Sequence, residues 1–209
     1  MTPRPLKRRQ ELLDIAAEQF ARRGYHNVTV DDIGAAAGVT GPALYHHFDG
    51  KEQLLGEILI SISQRLLDGG RLLAASEAKD AGALLERLIL FHCRFATASA
   101  ALITVHLRDL IYASADDQQR VRRLQARYVG LWLNALTARD PGIDRRTARA
   151  AVHATFGLIN STPFSSALPK ESMIELLRAM SIQALAEPTA DPNLQRLAHI
   201  GRAGSVFTA

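Results

Sequence analysis

The chain has 209 residues, 47% of them hydrophobic and 22% charged. That composition suits an ordinary globular fold and excludes a disordered or collagen-like chain; the length allows one large domain or a small one joined to a medium one. The net charge of +4 is mild, but MTPRPLKRRQ places Arg4, Lys7, Arg8 and Arg9 together with no acid, a basic arm suited to nucleic acid or an anionic surface, or simply a solvated terminus. The single cysteine, Cys93, excludes an intrachain disulfide and a cysteine-rich zinc module. No run reads as a secretory signal or a membrane span, so a cytoplasmic location is expected, with Cys93 as a buried small hydrophobe.

Leu13, Ala16, Ala17 and Phe20 recur at helical spacing, predicting a first helix from about Lys7 to Arg23 that Gly24 ends. In NVTVDDIGAAAG, Thr29 is an N-cap, Asp32 stands at the capping-box position, and Val28 and Ile33 at the staple positions. A short second helix to about Ala37 follows, and Gly38 ends it. The pattern repeats with Val39, Thr40 as a second N-cap, Pro42 in the first turn and Leu44 as staple partner, predicting a third short helix over 41–47. Two short helices joined by about three residues containing glycine meet the requirement of a helix-turn-helix.

Leu44 and Phe48, four apart, should point inward and leave Gly41, Pro42, Tyr45 and His46 on the opposite side. Tyrosine there can donate to phosphate or lie against a thymine methyl, and small residues let a helix N-terminus approach the backbone. Lys51 opens the next helix and can neutralise a phosphate. The His46–His47 pair invites a metal reading, but neighbours on a helix diverge and no cysteine or carboxylate cluster completes a site, so no metal is expected. His46 is assigned to the DNA face; His47 packs at the domain edge or meets a phosphate.

Thr29-Val30-x-x-Ile33, Gly38-Val39-Thr40, Leu44-Tyr45-x-His47-Phe48 and Lys51-Glu52-x-Leu54 closely resemble the DNA-binding domain of TetR-family transcriptional regulators. The resemblance covers about residues 7 to 55. Gly34 departs from the usual alanine, at about 1 kcal/mol of helix propensity, and acidic Asp31 stands where some relatives read bases. It implies an all-α fold: an N-terminal helix-turn-helix domain over 1–54 and a larger helical ligand-binding and dimerisation domain over 55–209. The DNA-facing set is then Arg4, Lys7, Arg8, Arg9, Thr29, Thr40, Gly41, Pro42, Tyr45, His46, His47 and Lys51.

Helices are expected almost throughout the rest. KEQLLGEILISISQRLLD carries a broad apolar face, with Gly69 and Gly70 as an end or bend unless the pattern runs through Leu73. After a looser ASEAKDAG come ALLERLILFHCRFATA, AALITVHLRDLIYAS, a long helix from about Asp116 to Arg139, and a break at RDPGID. Two last helices, about Arg145 to Ser161 and Lys170 to Ala186, flank STPFSSALP; a polar tail follows Pro188. The resemblance makes the last two helices a two-fold dimer bundle, with Ala151, Ala154, Leu158, Ile174, Leu177 and Leu185 on the joining faces; read alone, these residues are equally core.

The resemblance also implies a small-molecule cavity among the middle helices. Phe91, Phe95, Tyr112, Tyr128, Trp132 and Phe156 are candidate apolar walls, and His92, His106, Arg108 and Asn160 polar anchors, a composition usual for such sites. The alternative is plain core, with Arg108 and Asp109 a structural ion pair. The function implied is a homodimeric repressor released from an inverted-repeat operator on double-stranded DNA by a small hydrophobic effector. No phosphate-cradling glycine loop, metal-spaced ligand set or nucleophile motif is present, so neither an enzyme nor a cofactor is expected. A helical protein-interaction adaptor that has lost DNA binding is the competing class, followed by an all-α enzyme whose histidines and acids converge only in space.

Overall fold

The computed structural model describes residues 4–40, 44–76, 80–165 and 167–186, with side chains from Arg8 onward. Among them are eight α-helices and no strand: α1 (Arg4–Arg23), α2 (Val30–Ala36), α3 (Lys51–Ser76), α4 (Ala81–Ala98), α5 (Ala100–Asp109), α6 (Ala115–Arg139), α7 (Arg145–Ile159) and α8 (Lys170–Ala186). Short 3-10 turns at Leu110–Tyr112 and Thr162–Phe164 follow α5 and α7.

The N-terminal unit closes on one apolar seam. Leu12, Leu13, Ala16, Ala17 and Phe20 of α1 are buried with Val28, Ile33, Leu44 and Phe48 and with Leu54, Leu55 and Ile58 of α3. α1 ends at Gly24, whose φ of +86° is the left-handed conformation glycine adopts without strain. Asp32 N–H donates to Thr29 Oγ1, and Asp32 Oδ2 accepts from Thr29 N–H at 2.8 Å, the capping box read from the sequence. Arg23 lies 3.1 Å from the same carboxylate; these bonds hold Asp32 down at about 2. Gly38, at φ +65°, turns the chain after α2, and Val39 N–H returns to Gly34 O at 2.9 Å.

α3 runs unbroken through Gly69 and Gly70 to Ser76, further than an end or bend there would allow. Its glycines make room for side chains of other helices. A Cβ at Gly56 would stand 2.2 Å from Asp117 Oδ2, at Gly69 2.2 Å from Phe91 Cζ, and at Gly70 2.8 Å from Tyr128 Cε2. α3 thus packs closely along α6 and α4, and helix propensity yields to tertiary contact.

α4 starts on Asp80, whose Oδ1 accepts from Ala83 N–H, and at Ser99 the chain bends by 89° into α5. α6 is capped by Ser114 and α7 by Asp144. α7 packs on α6 and α8, and α8 on α4. Of the residues expected to join two subunits, Leu177 and Leu185 are core, facing inward; exposed apolar surface on α8 comes from Leu176 and Met180 instead. Cys93 is buried in α4, and desolvation pushes its thiol up to about 12. No single described helix is long and apolar enough to cross a membrane.

Candidate nucleic-acid interface and ligand cavity

The recognition segment is built on a buried pair. Leu44 and Phe48 are buried; Leu44 N–H donates to Thr40 O and Phe48 N–H to Leu44 O, so the backbone here follows a helical turn. Gly41 and Pro42 lie outside the described residues. Tyr45 is 55% exposed, His46 is exposed too, and half-buried His47 tilts against Phe48. Thr40 is exposed at the start of this turn, and Thr29 at the start of α2.

The basic cluster is not a free arm. Arg4 and Lys7 belong to the first turn of α1, and their side chains lie outside those described. Arg8 donates to Glu11 Oε2 at 3.1 Å and to Ala37 O at 3.0 Å, satisfying a carbonyl at the end of α2. Arg9 forms a two-pronged pair with Glu57, and its guanidinium lies 4.5 Å from the centre of the Phe48 ring. Lys51 Nζ donates to Tyr25 O at 2.9 Å and sits 4.5 Å over the Tyr25 ring. Arg8, Arg9 and Lys51 therefore tie the unit together: Arg9 is paired with a carboxylate and Arg8 with a carboxylate and a carbonyl, while the carbonyl partners of Lys51 leave its charge in place.

The cavity lies among five helices and has a volume of about 200 Å³. α3 lends Ser63 and Leu66, α4 His92, and α5 Ile103 and His106. α6 lends Gln125, Tyr128 and Val129; His153, Phe156 and Asn160 close the α7 side. His92 Nε2 lies 3.2 Å from Asn160 Oδ1, and His106 Nε2 lies 2.6 Å from Gln125 Nε2. His92 Nδ1, His106 Nδ1 and the Tyr128 hydroxyl are buried with no hydrogen-bond partner among the described residues, a state that disfavours the closed site by about 1–3 kcal/mol per group until something bonds to them. Desolvation lowers His92 to about 4 and lowers His106, and it pushes the Tyr128 hydroxyl up, so all three are neutral at pH 7.

Of the expected cavity residues, His92, His106, Tyr128, Phe156 and Asn160 come together. Trp132 lies fully buried behind the wall, its ring edge-on to Phe156 with centroids 4.9 Å apart. Four stand elsewhere. Phe91 fills the notch at Gly69, and Phe95 is buried under the Arg65 guanidinium. Arg108 and Tyr112 lie past the end of the cavity, against the N-terminal unit. Arg108 pairs with Asp109 and donates to Phe20 O and Ala21 O; Tyr112 stacks on Tyr25 at 5.6 Å and meets His26 edge-on. Arg108 is two residues and Tyr112 six residues beyond His106; two residues turn a helix by about 200°, so Arg108 leaves α5 on the side that packs on α1, and the 3-10 turn after α5 brings Tyr112 to Tyr25.

Ser63 and Gln125 line the cavity without having been singled out. Each is a polar residue on an apolar stripe: Ser63 beside Ile62 and Leu66, Gln125 between Val121 and Val129. That break in the stripe is the signal that marks them.

A family profile described as bacterial regulatory proteins, tetR family, matches residues 12–58. The chain is 36% identical over 146 residues to the HTH-type transcriptional repressor KstR2 of Rhodococcus jostii (strain RHA1), covering 66% of this chain and 71% of that one. It is 31% identical over 197 residues to the HTH-type transcriptional regulator BetI of Brucella suis biovar 1 (strain 1330), covering 90% and 96%. The fold matches that of the ketosteroid transcriptional regulator KstR2 of Mycobacterium tuberculosis with a TM-score of 0.73 at 21% identity, over 88% of this chain and 96% of that one. With its capped α2, its glycine turn and its exposed Tyr45 in front of a larger helical unit, the chain belongs to the tetR family of DNA-binding transcriptional regulators.

Proposed function

We propose that the protein is a repressor that binds an inverted-repeat operator as a homodimer and is released by a small apolar effector taken up between α3 and α7. The observation that carries this reading is a shared element. α5 places His106 in the cavity wall and, two residues later on the other side of the helix, Arg108 on carbonyls near the end of α1. A ligand that moves α5 therefore acts on the helix that underlies the recognition segment. α3 supplies a second route: it leads from Lys51 beside Tyr25 to Ser63 and Leu66 in the wall.

In the dimer, Leu176 and Met180 of α8 would be covered, and each recognition segment would enter a major groove. Half-sites would then be about one turn apart or more. Tyr45, His46 and Thr40 form the groove-facing edge, Gly41 and Pro42 are assigned to DNA from the sequence alone, and Arg4 and Lys7 contribute phosphate contacts. The effector must bind the two states with different affinity, since equal affinity shifts nothing. An apolar effector fits the apolar side of the wall, and the name of the Mycobacterium tuberculosis relative, a ketosteroid regulator, supports a compound of that character.

The test is fluorescence anisotropy of labelled DNA from upstream of the protein's own gene, against scrambled DNA, over a salt series. Tight, sequence-dependent binding with a steep salt slope is expected. Equal affinity for both duplexes at every salt concentration overturns operator recognition on that DNA, and absence of binding to any duplex at low salt favours an adaptor.

A further inference from the structure

The cavity wall contains no aspartate, glutamate, lysine or arginine. Apart from exposed His153, its polarity comes from uncharged groups whose bonding is only half used. Asn160 Oδ1 accepts from His92 Nε2, so the proton of that ring is on Nε2 and Nδ1 is a bare acceptor. The Gln125 amide N–H donates to His106 Nε2, so His106 carries its proton on Nδ1. Together with the Tyr128 hydroxyl, the wall holds two donors and one acceptor that no protein group satisfies.

An ion entering this space would lose its water and meet no counter-charge, the most unfavourable kind of burial. Neutral oxygen is different: it can accept from Tyr128 or His106, and a hydroxyl can also donate to His92. Size narrows the class further. A cavity of about 200 Å³ is of the same order as the ~150 Å³ apolar cavity that holds benzene and lies below the ~300–1,000 Å³ of drug-sized pockets.

We propose that the effector group held between α3 and α7 is a compact, uncharged ring or branched alkyl group bearing one carbonyl or hydroxyl oxygen, addressed by the Tyr128 hydroxyl and His106 Nδ1–H. This rests on reading the cavity as the effector site. Phe156, stacked on the Tyr128 ring at 5.6 Å, supplies apolar wall beside the Tyr128 donor, and exposed His153 meets Phe156 edge-on.

Trp132 is the one tryptophan of the chain and touches both His92 and Phe156, so its fluorescence reports on the cavity without DNA. Four probes of similar shape separate the possibilities: cyclohexyl methyl ketone, ethylcyclohexane, cyclohexanecarboxylate and cyclohexylmethylammonium. The full chain is titrated with each, with thermal denaturation as a second readout. The ketone is expected to bind at least tenfold more tightly than either ion. Tyr128→Phe should weaken the ketone several-fold and leave the hydrocarbon unchanged; His106→Leu, at a half-buried site, is the second variant if Tyr128→Phe fails to fold. Equal or tighter binding of either ion overturns the charge assignment and leaves the effector site standing. Equal losses of ketone and hydrocarbon in both variants overturn the roles given to the two donors. No response to any probe, in protein that still binds DNA, overturns the effector-site reading and this proposal with it.

Discussion

Arg108, on α5, donates its guanidinium to the main-chain oxygen of Phe20, at the C-terminal end of α1. The buried Asp109 carboxylate, 1% exposed, grips the same guanidinium through Nε at 2.8 Å and Nη2 at 2.9 Å. A cation on the carbonyl end of a helix is favourable in itself, and here it also fastens the two units to each other. Arg108→Met removes the fastening and leaves Asp109 buried without its cation. The side chain of Arg108 is 43% exposed, which limits the effect; a loss of about 1–3 kcal/mol is expected in urea unfolding. Changing Asp109 to leucine as well should recover much of it, and a double variant no better than the single one would show that the contact with α1, not the stranded acid, is what matters.

Gly70→Ala tests the notch under Tyr128. Alanine gains about 1 kcal/mol of helix propensity, but its Cβ would lie 2.8 Å from Tyr128 Cε2 and 2.9 Å from Leu131 Cδ1. Tyr128 is 3% exposed and is held by ring contacts with His92, Trp132 and Phe156, so overpacking of about 1–3 kcal/mol wins. Gly130→Ala, with nothing within 4 Å of its added Cβ, should be neutral or stabilising. Thermal denaturation of the two variants side by side decides it; equal melting temperatures would refute the notch.

Tyr45→Ala and Lys51→Ala should separate reading from holding. Tyr45 is exposed and has no hydrogen bond or ring contact among the described residues, so its loss is expected to weaken operator binding tenfold or more with an unchanged melting temperature. Lys51 is spent on Tyr25, through one hydrogen bond and one cation–π contact; its loss should lower stability by about 1–2 kcal/mol. Anisotropy and melting curves on both proteins give four numbers. The assignment fails if Tyr45→Ala melts early or Lys51→Ala melts as the parent does.

Acid should destabilise the protein in two separate windows. His92 is held neutral by burial, its value lowered to about 4. As pH falls from its ordinary value near 6.5, the unfolded chain takes up a proton that the folded one refuses, so stability declines from about pH 6.5 to 4 by about 3 kcal/mol. His92→Phe should remove most of that slope and leave the share of His106, which burial also lowers. Asp32, depressed to about 2, acts in the other window: its contribution is complete above the ordinary carboxylate range and is lost as pH falls from about 4 to 2. Urea midpoints measured from pH 8 to 3 in both proteins would show whether the first window belongs to His92.

Thr29→Ala removes the N-cap of α2. Loss of such a cap typically amounts to about 1 kcal/mol, and α2 has only seven residues to absorb it. Faster amide exchange in α2 than in α1 is the expected signature; uniform change across both helices would place the effect elsewhere.

Local chemistry made the N-terminal half of this architecture legible in the sequence. Thr29 with Asp32, Gly38 after α2, and Leu44 four residues before Phe48 act over distances of one turn, where residue type and spacing are sufficient. The same holds for the helical content and for the breaks at Ser99 and Asp140. What lay beyond sequence reading was every decision made between helices. Arg8, Arg9 and Lys51 read as free cations until Ala37 O, Glu57 and Tyr25 are brought to them. Gly69 and Gly70 read as breakers until Phe91 and Tyr128 arrive. Arg108 and His106 are two residues apart in the chain, yet one reaches α1 and the other lines the cavity. Helical periodicity fixes which residues share a face, whereas which partner that face meets depends on contacts as far as ninety-two residues apart, and packing of that range is settled only when the chain has folded.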